Sequence, residues 1–169
     1  DVNEAENGLF EVLFISNNPR QNRCFNGLSL SLDQEIMLIS DDSNLVFDVV
    51  ILPAVWGGYK SKADEEELLN WLQFQHQKKA ILLGLVTGPF CLAAAGLLNR
   101  HQATVHWSFV EQFKLHYPEV ELLAERGITR ANSCWCASDI MSSLELGVLL
   151  LEHFYGGKVA EQCQRYFLQ

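Results

Sequence analysis

The residues best placed to do chemistry lie in Leu85–Trp107, LVTGPFCLAAAGLLNRHQATVHW. The apolar run Ala80–Val86 has the length of a strand buried on both faces. Thr87-Gly88-Pro89 breaks it, and proline is well tolerated in the first turn of a helix. Phe90–Leu98 follows as a helix whose Ala93, Ala94, Ala95 and Gly96 allow close approach to a sheet. A return strand ends at His106-Trp107. Strand, sharp turn and helix together form the framework of a nucleophile elbow, which lifts one side chain over the carboxyl edge of a sheet. Here the elbow carries no nucleophile. Cys134-Trp135-Cys136 sets two thiols one residue apart with no second ligand pair, so the spacing argues for buried or half-buried free thiols over zinc.

The elements that must position these residues alternate between strand and helix, which predicts an α/β fold with a mostly parallel sheet and helices on both faces. Phe10–Ile15, Glu35–Ile39 and Val46–Leu52 read as the first three strands, the last ended by Pro53. Val49, Ile51, Leu82, Leu83 and Leu85 are expected to be buried in the sheet. Asp64–Lys78 is the clearest amphipathic helix, with acidic residues at its positive end and Lys78 and Lys79 at the other. Trp107–His116 reads as a helix, Glu119–Leu123 and Ile128–Ala131 as strands. Ser142–Tyr155 is a long apolar helix closed by Gly156-Gly157, and Lys158–Phe167 is the last. Asn17–Leu32 fits poorly, being short and weakly periodic where a parallel crossover needs a dozen or more residues with a helix.

Composition narrows the function classes. The 169 residues, 49% hydrophobic, suit one globular domain spanning 1–169, and no repeat or low-complexity linker interrupts them. A net charge of −9 without a basic run opposes direct nucleic-acid binding. Five cysteines without framework spacing, and no signal-peptide pattern, predict reduced thiols in a cytoplasmic setting. No apolar run reaches bilayer length, so no membrane association is expected. Nothing in the sequence calls for a cofactor or a metal.

The pattern Thr87, Gly88, Phe90, Leu92, Ala93, Ala95, Gly96, Leu97, Leu98, then Ala103, Thr104, His106 and Trp107, resembles the PfpI/ThiJ branch of the class I glutamine amidotransferase-like superfamily. More narrowly, it resembles the N-terminal domain of AraC-family transcription regulators that carry this fold. Phe47–Pro53 with Trp56-Gly57-Gly58, the turn at Tyr117-Pro118 and Leu144–Gly156 agree in order. The resemblance is good over residues 45–169 and poor over 1–44. It implies a flavodoxin-like, three-layer α/β sandwich with the elbow at the carboxyl ends of the central strands.

The departures matter as much. In the superfamily's enzymes a cysteine precedes the Thr-Gly-like pair, and here that position is Val86, which cannot form a covalent intermediate. Cys91 lies five residues later, inside the elbow helix, and cannot simply replace it. The acidic residue the enzymes place after the first strand is missing from Ser16–Arg20. The resemblance puts His106 where the superfamily keeps its catalytic histidine. It either lines a ligand pocket or is a structural histidine bonded to backbone. For Trp107 the core is the leading reading over ligand contact. Gly57-Gly58 and the Thr87 and Gly88 amides match the enzymes' oxyanion-stabilising backbone, and they form either an anion cradle or simply tight turns.

The expectation is therefore a non-catalytic, ligand-sensing and dimerising domain of an AraC-family regulator. Its pocket candidates are Trp56, Gly57, Gly58, Val86, Thr87, Gly88, His106 and Trp107. An unidentified small molecule is its effector, and DNA is reached only through a C-terminal helix-turn-helix domain beyond Gln169. The alternatives are a stand-alone PfpI/ThiJ-type hydrolase or glyoxalase-like enzyme, and a binding or scaffold protein without a DNA link. Dimer contacts are sought on the Trp71/Phe74 surface and around Phe154, Tyr155 and Phe167, while for any single one of these aromatics the monomer core is the leading reading.

Overall fold

The computed structural model describes residues 10–16, 27–29, 31, 33–35, 45–55 and 66–167. Contacts divide the chain into two units, Asp1–Leu45 and Val46–Gln169. In the first, β1 (Ile15–Ser16) pairs in parallel with β2 (Gln34–Glu35). The Asp33 carboxylate accepts from the Phe14 amide at 2.7 Å, and the Asp33 amide donates to the Phe14 carbonyl at 2.8 Å. The expected strand Phe10–Ile15 is thus mostly not one. Phe10, Val12 and Phe14 are exposed, and regular strand geometry is confined to Ile15–Ser16. Residues 36–39 of the second expected strand and most of Asn17–Leu32 lie outside the described residues.

The second unit is built on a four-stranded sheet, β3 (Val49–Leu52), β4 (Ile81–Leu85), β8 (Cys134–Ala137) and β7 (Ile128–Ala131), in that spatial order. β3–β4 and β4–β8 are parallel, and β7–β8 is an antiparallel hairpin. Asn132 turns that hairpin at φ 53°, a conformation asparagine tolerates. A short parallel pair, β5 (Gln102–Ala103) with β6 (Glu121–Leu122), completes the strands. The sheet is mostly parallel, as expected, but its central strand β8 falls on residues that the sequence singled out only for their thiols.

Alternation along β4 shows how both faces are used. Ile81 and Leu83 join Trp135, Ala137 and Leu146 in one core cluster, with Val49, Leu85, Ile128, Leu149 and Leu150 against it. This face is covered by α4 (Ile140–Tyr155), whose core-facing residues are Leu146, Leu149 and Leu150. The opposite face carries Gly84, where a Cβ would meet the Pro89 nitrogen at 2.8 Å and Leu92 Cδ1 at 3.1 Å. The glycine lets α2 (Pro89–Ala94) lie directly on the sheet. Next to it runs α1 (Glu66–Gln77), tied to α2 by the Gln73 side-chain amide donating to the Ala95 carbonyl at 2.8 Å.

The burial expected of Ile51, Val49 and Leu85 needs correction. Ile51 is 54% exposed rather than buried, because among the described residues β3 is an edge of this sheet and α4 packs on β8, farther in. Val49 and Leu85 are only half-buried. Trp71, for which the core is the leading reading over a dimer contact, is 6% exposed and packs edge-on against Phe47. Nearby, the fully buried Gln75 accepts through its side-chain oxygen from the Phe47 amide at 3.0 Å, which anchors the chain entering β3.

Helix ends are set by local chemistry. The Asp139 carboxylate caps α4, accepting from the Ser142 amide at 2.8 Å and from the Ser138 hydroxyl at 2.7 Å. The Ser142 amide first, then the Ser138 hydroxyl, hold its carboxyl below the usual range. α5 (Gly157–Phe167) packs on α4 with Ala160 buried and Val159 and Cys163 half-buried. The predicted helix Trp107–His116 is a 3-10 turn, Trp107–Phe109, followed by α3 (Val110–His116).

Candidate functional site

Four chain segments converge on the dipeptide Val86-Thr87. The Val86 amide donates to the Ala137 carbonyl at the end of β8 at 2.8 Å, and the Val86 carbonyl accepts from the His106 amide at 3.2 Å. The Thr87 hydroxyl accepts from the Val55 amide beyond β3 at 2.9 Å and lies 3.3 Å from the Val55 carbonyl as donor. The carboxyl ends of β3, β4 and β8 are thereby laced to the segment after β5. Of the sequence-predicted residues, Val86, Thr87, Gly88, His106 and Trp107 come together. Trp56, Gly57 and Gly58 lie outside the described residues, immediately after Val55.

Val86 stands at φ 61°, in the left-handed region. For a β-branched residue this is a true outlier, costing on the order of 1–3 kcal/mol. The turn it opens is closed by the Gly88 amide donating to the Leu85 carbonyl at 2.8 Å. Gly88 then starts α2, with Pro89 in the first turn. The elbow geometry is therefore kept in full while its apex side chain is a hydrocarbon. One consequence is measurable. Alanine outranks glycine by about 0.5–1 kcal/mol inside ordinary strands and helices. At position 86 the order should invert, with Val86→Gly more stable than Val86→Ala by about 1 kcal/mol in urea unfolding, because only glycine adopts this φ without strain.

His106 is half-buried and caps the 3-10 turn. Its Nδ1 accepts from the Ser108 amide at 3.4 Å and pairs with the Ser108 hydroxyl at 2.7 Å. A backbone N–H can only donate, so the cap requires the Nδ1 lone pair and places the ring hydrogen on Nε2. Trp107 is 77% exposed, against the expectation of a core position. As the first residue of the capped turn its indole leans on the imidazole, with centroids 5.3 Å apart and planes at 37°. Behind them Phe90 gathers Phe109, Phe113 and Tyr117 edge-on, at 6.2, 4.9 and 6.1 Å. Sequence reasoning missed the Thr87–Val55 clasp and the role of Ser108. A polar residue two positions after a turn histidine was the available signal for the second.

Cys91 lies in the elbow helix α2, and two further thiols stand on β8. Cys134 and Cys136 are buried on β8, and burial pushes their pKa values up to about 11 and about 12. Neighbouring Cys134 raises the second further, against partial relief from the Thr104 backbone and the Thr129 hydroxyl. Among the described residues, no cluster of three or more His, Cys, Asp or Glu side chains could hold a metal, and no helix is long and apolar enough to cross a membrane.

Comparison with known proteins bears on this geometry. The DJ-1/PfpI family profile matches residues 2–153. The HTH-type transcriptional regulator CdhR of Pseudomonas aeruginosa is 28% identical over 118 residues, covering 70% of this chain and 35% of its own length. The chain thus spans about a third of that curated relative. A solved structure of a candidate transcriptional regulator from Vibrio parahaemolyticus superposes with a TM-score of 0.82 at 22% identity, over 98% of this chain and 84% of the other. An AraC family transcriptional regulator from Pseudomonas putida gives 0.74 at 20% identity, over 97% and 84%. At these identities the two structures speak to the fold alone.

Proposed function

We propose that this chain, which belongs to the DJ-1/PfpI family, is the non-catalytic, ligand-sensing and dimerising domain of an AraC-family transcription regulator. The observation that carries the reading is Val86 at the apex of an intact elbow: a left-handed turn is kept at an energetic cost where a nucleophile would sit, yet no nucleophile is there. A scaffold of that kind suits recognition. The similarity to CdhR supports the regulator context, and DNA contact is assigned to a helix-turn-helix domain outside this chain. With Trp71 in the core, the dimer candidates are half-buried Phe74 and the C-terminal helices around Phe154, Tyr155 and Phe167, the Phe167 side chain lying outside what the structure describes. The exposed Phe154 and Tyr155 at the end of α4 can meet their own copies across a two-fold axis.

Two measurements test this. Hydrolase, amidase and glyoxalase substrates should show no thiol-dependent turnover above background, and light scattering at micromolar concentration should give twice the chain mass. Turnover abolished by Cys91→Ala would make the chain an enzyme of the PfpI/ThiJ type. A strictly monomeric mass would confine the domain to sensing.

A further inference from the structure

Four large apolar side chains are left exposed on the segments bonded to Val86-Thr87. Val55 follows β3, Trp107 follows the His106 cap, and Ile140 and Met141 open α4 three and four residues after Ala137. They are 62, 77, 74 and 63% exposed, and Val86 itself is half-buried. All are apolar. The polar groups interleaved with them are already engaged: Thr87 with the Val55 backbone, Ser108 with His106 Nδ1, Asp139 with Ser138 and Ser142. What is left is His106 Nε2, which has no partner among the described residues and carries the hydrogen in the tautomer that the cap requires.

From this pattern we infer that the molecule sensed at the elbow is neutral, with an apolar body and one carbonyl-type acceptor. The inference rests on the ligand-sensing reading above. The body lies against Trp107, Ile140 and Met141, and the carbonyl oxygen accepts from His106 Nε2–H. An anion would surrender its hydration here for apolar side chains, and a cation would meet the Asp139 carboxylate already engaged by the α4 N-terminus, Ser138 and Ser142. A neutral amphiphile loses only water from hydrocarbon and exchanges one hydrogen bond. Val86 fits this selection, since at the apex it adds hydrocarbon where a thiol would add a reactive group.

The test compares butanamide, pentanamide and hexanamide with alkanoates and alkylammonium ions of equal length, by calorimetric titration of the intact chain. Amides should bind tighter by roughly threefold to fourfold per added methylene. At equal length they should bind at least tenfold tighter than either ion. Trp107→Ala, which removes a mostly exposed ring, should weaken the amides fivefold or more and leave the thermal melt unchanged. An alkanoate or alkylammonium binding as tightly as the amide overturns the neutral class and leaves sensing intact. Amide affinity indifferent to both Trp107→Ala and Met141→Ala places the site elsewhere and overturns the inference alone. A halved mass on Trp107→Ala makes the rim an interface between copies, which also overturns it. Failure of all three series to bind overturns the sensing reading itself.

Discussion

Replacing Gly88 by alanine should unfold the chain or cost more than about 3 kcal/mol, at the upper end of overpacking effects. A Cβ at this position would lie 2.3 Å from the Leu52 carbonyl oxygen, 2.7 Å from the Leu85 nitrogen and 3.0 Å from Gly84 Cα. All three are backbone atoms of β3 and β4, the strands that carry the elbow, so no side-chain rotation relieves the clash. Moving either strand would break the closure of the turn between Leu85 and Gly88 and strain the Thr87–Val55 clasp. The same substitution at Gly147 should act in the opposite direction. That residue lies inside α4 with nothing within 4 Å of a new Cβ. Alanine there should stabilise by about 0.5–1 kcal/mol through helix propensity and a less entropic unfolded chain. Urea midpoints of the two variants, measured side by side, decide it. A Gly88→Ala protein as stable as wild type would mean that the elbow is not packed as described.

That contrast shows what the sequence could and could not reveal. The elbow was legible because its constraints are local: an apolar strand, a Thr-Gly-Pro break and small residues on the next helix leave few folds open. α1 and α4 were legible for a similar reason, since charge at the termini and apolar spacing lie within one segment. β8 was not read as a strand. Cys134–Ala137 is four residues with no β-branched member, and its strand character comes from β4 and β7 on either side rather than from its own propensity. Ile51 and Trp107 were misjudged in the same sense, both being expected inside and both standing exposed. Hydrophobicity gives a preference for burial, but an edge strand and a capped turn can each leave a large apolar side chain outside. Trp71, a dimer candidate for which the core was the leading reading, is held in the core by the Phe47 contact. At the site, the residue types of Val86 and His106 were visible. Their joining through one backbone hydrogen bond is a property of two distant segments that no local pattern encodes.

The place of β8 at the sheet's centre carries the second large expectation, because its thiols report on it. Cys134 and Cys136 alternate with Trp135, so both point to one face, and they are 2% and 0% exposed. With pKa values near 11 and 12 against about 8.5 for a free thiol, their thiolate fraction at pH 8 falls by two to three orders of magnitude. Alkylation of these two, followed by mass spectrometry, should therefore be at least about 100-fold slower in the native protein than in urea, with half-buried Cys163 reacting first. The pH dependence has a definite sign. Burial raises the folded pKa above the unfolded one, so the unfolded chain loses its thiol protons first as pH rises. The stability these neutral thiols contribute is whole below about pH 8.5, declines above it, and is gone once pH passes the folded values. The fall should approach roughly 1.4 kcal/mol per pH unit for each thiol over that window. Lysines and tyrosines titrate in the same range, so the measurement is the difference between wild type and a Cys134→Ala, Cys136→Ala double variant, whose stability curve should be flatter there. Native-state alkylation of Cys134 at the rate of Cys163 would instead mean that β4 and β8 are not paired. The face that holds the elbow in place would then need another account.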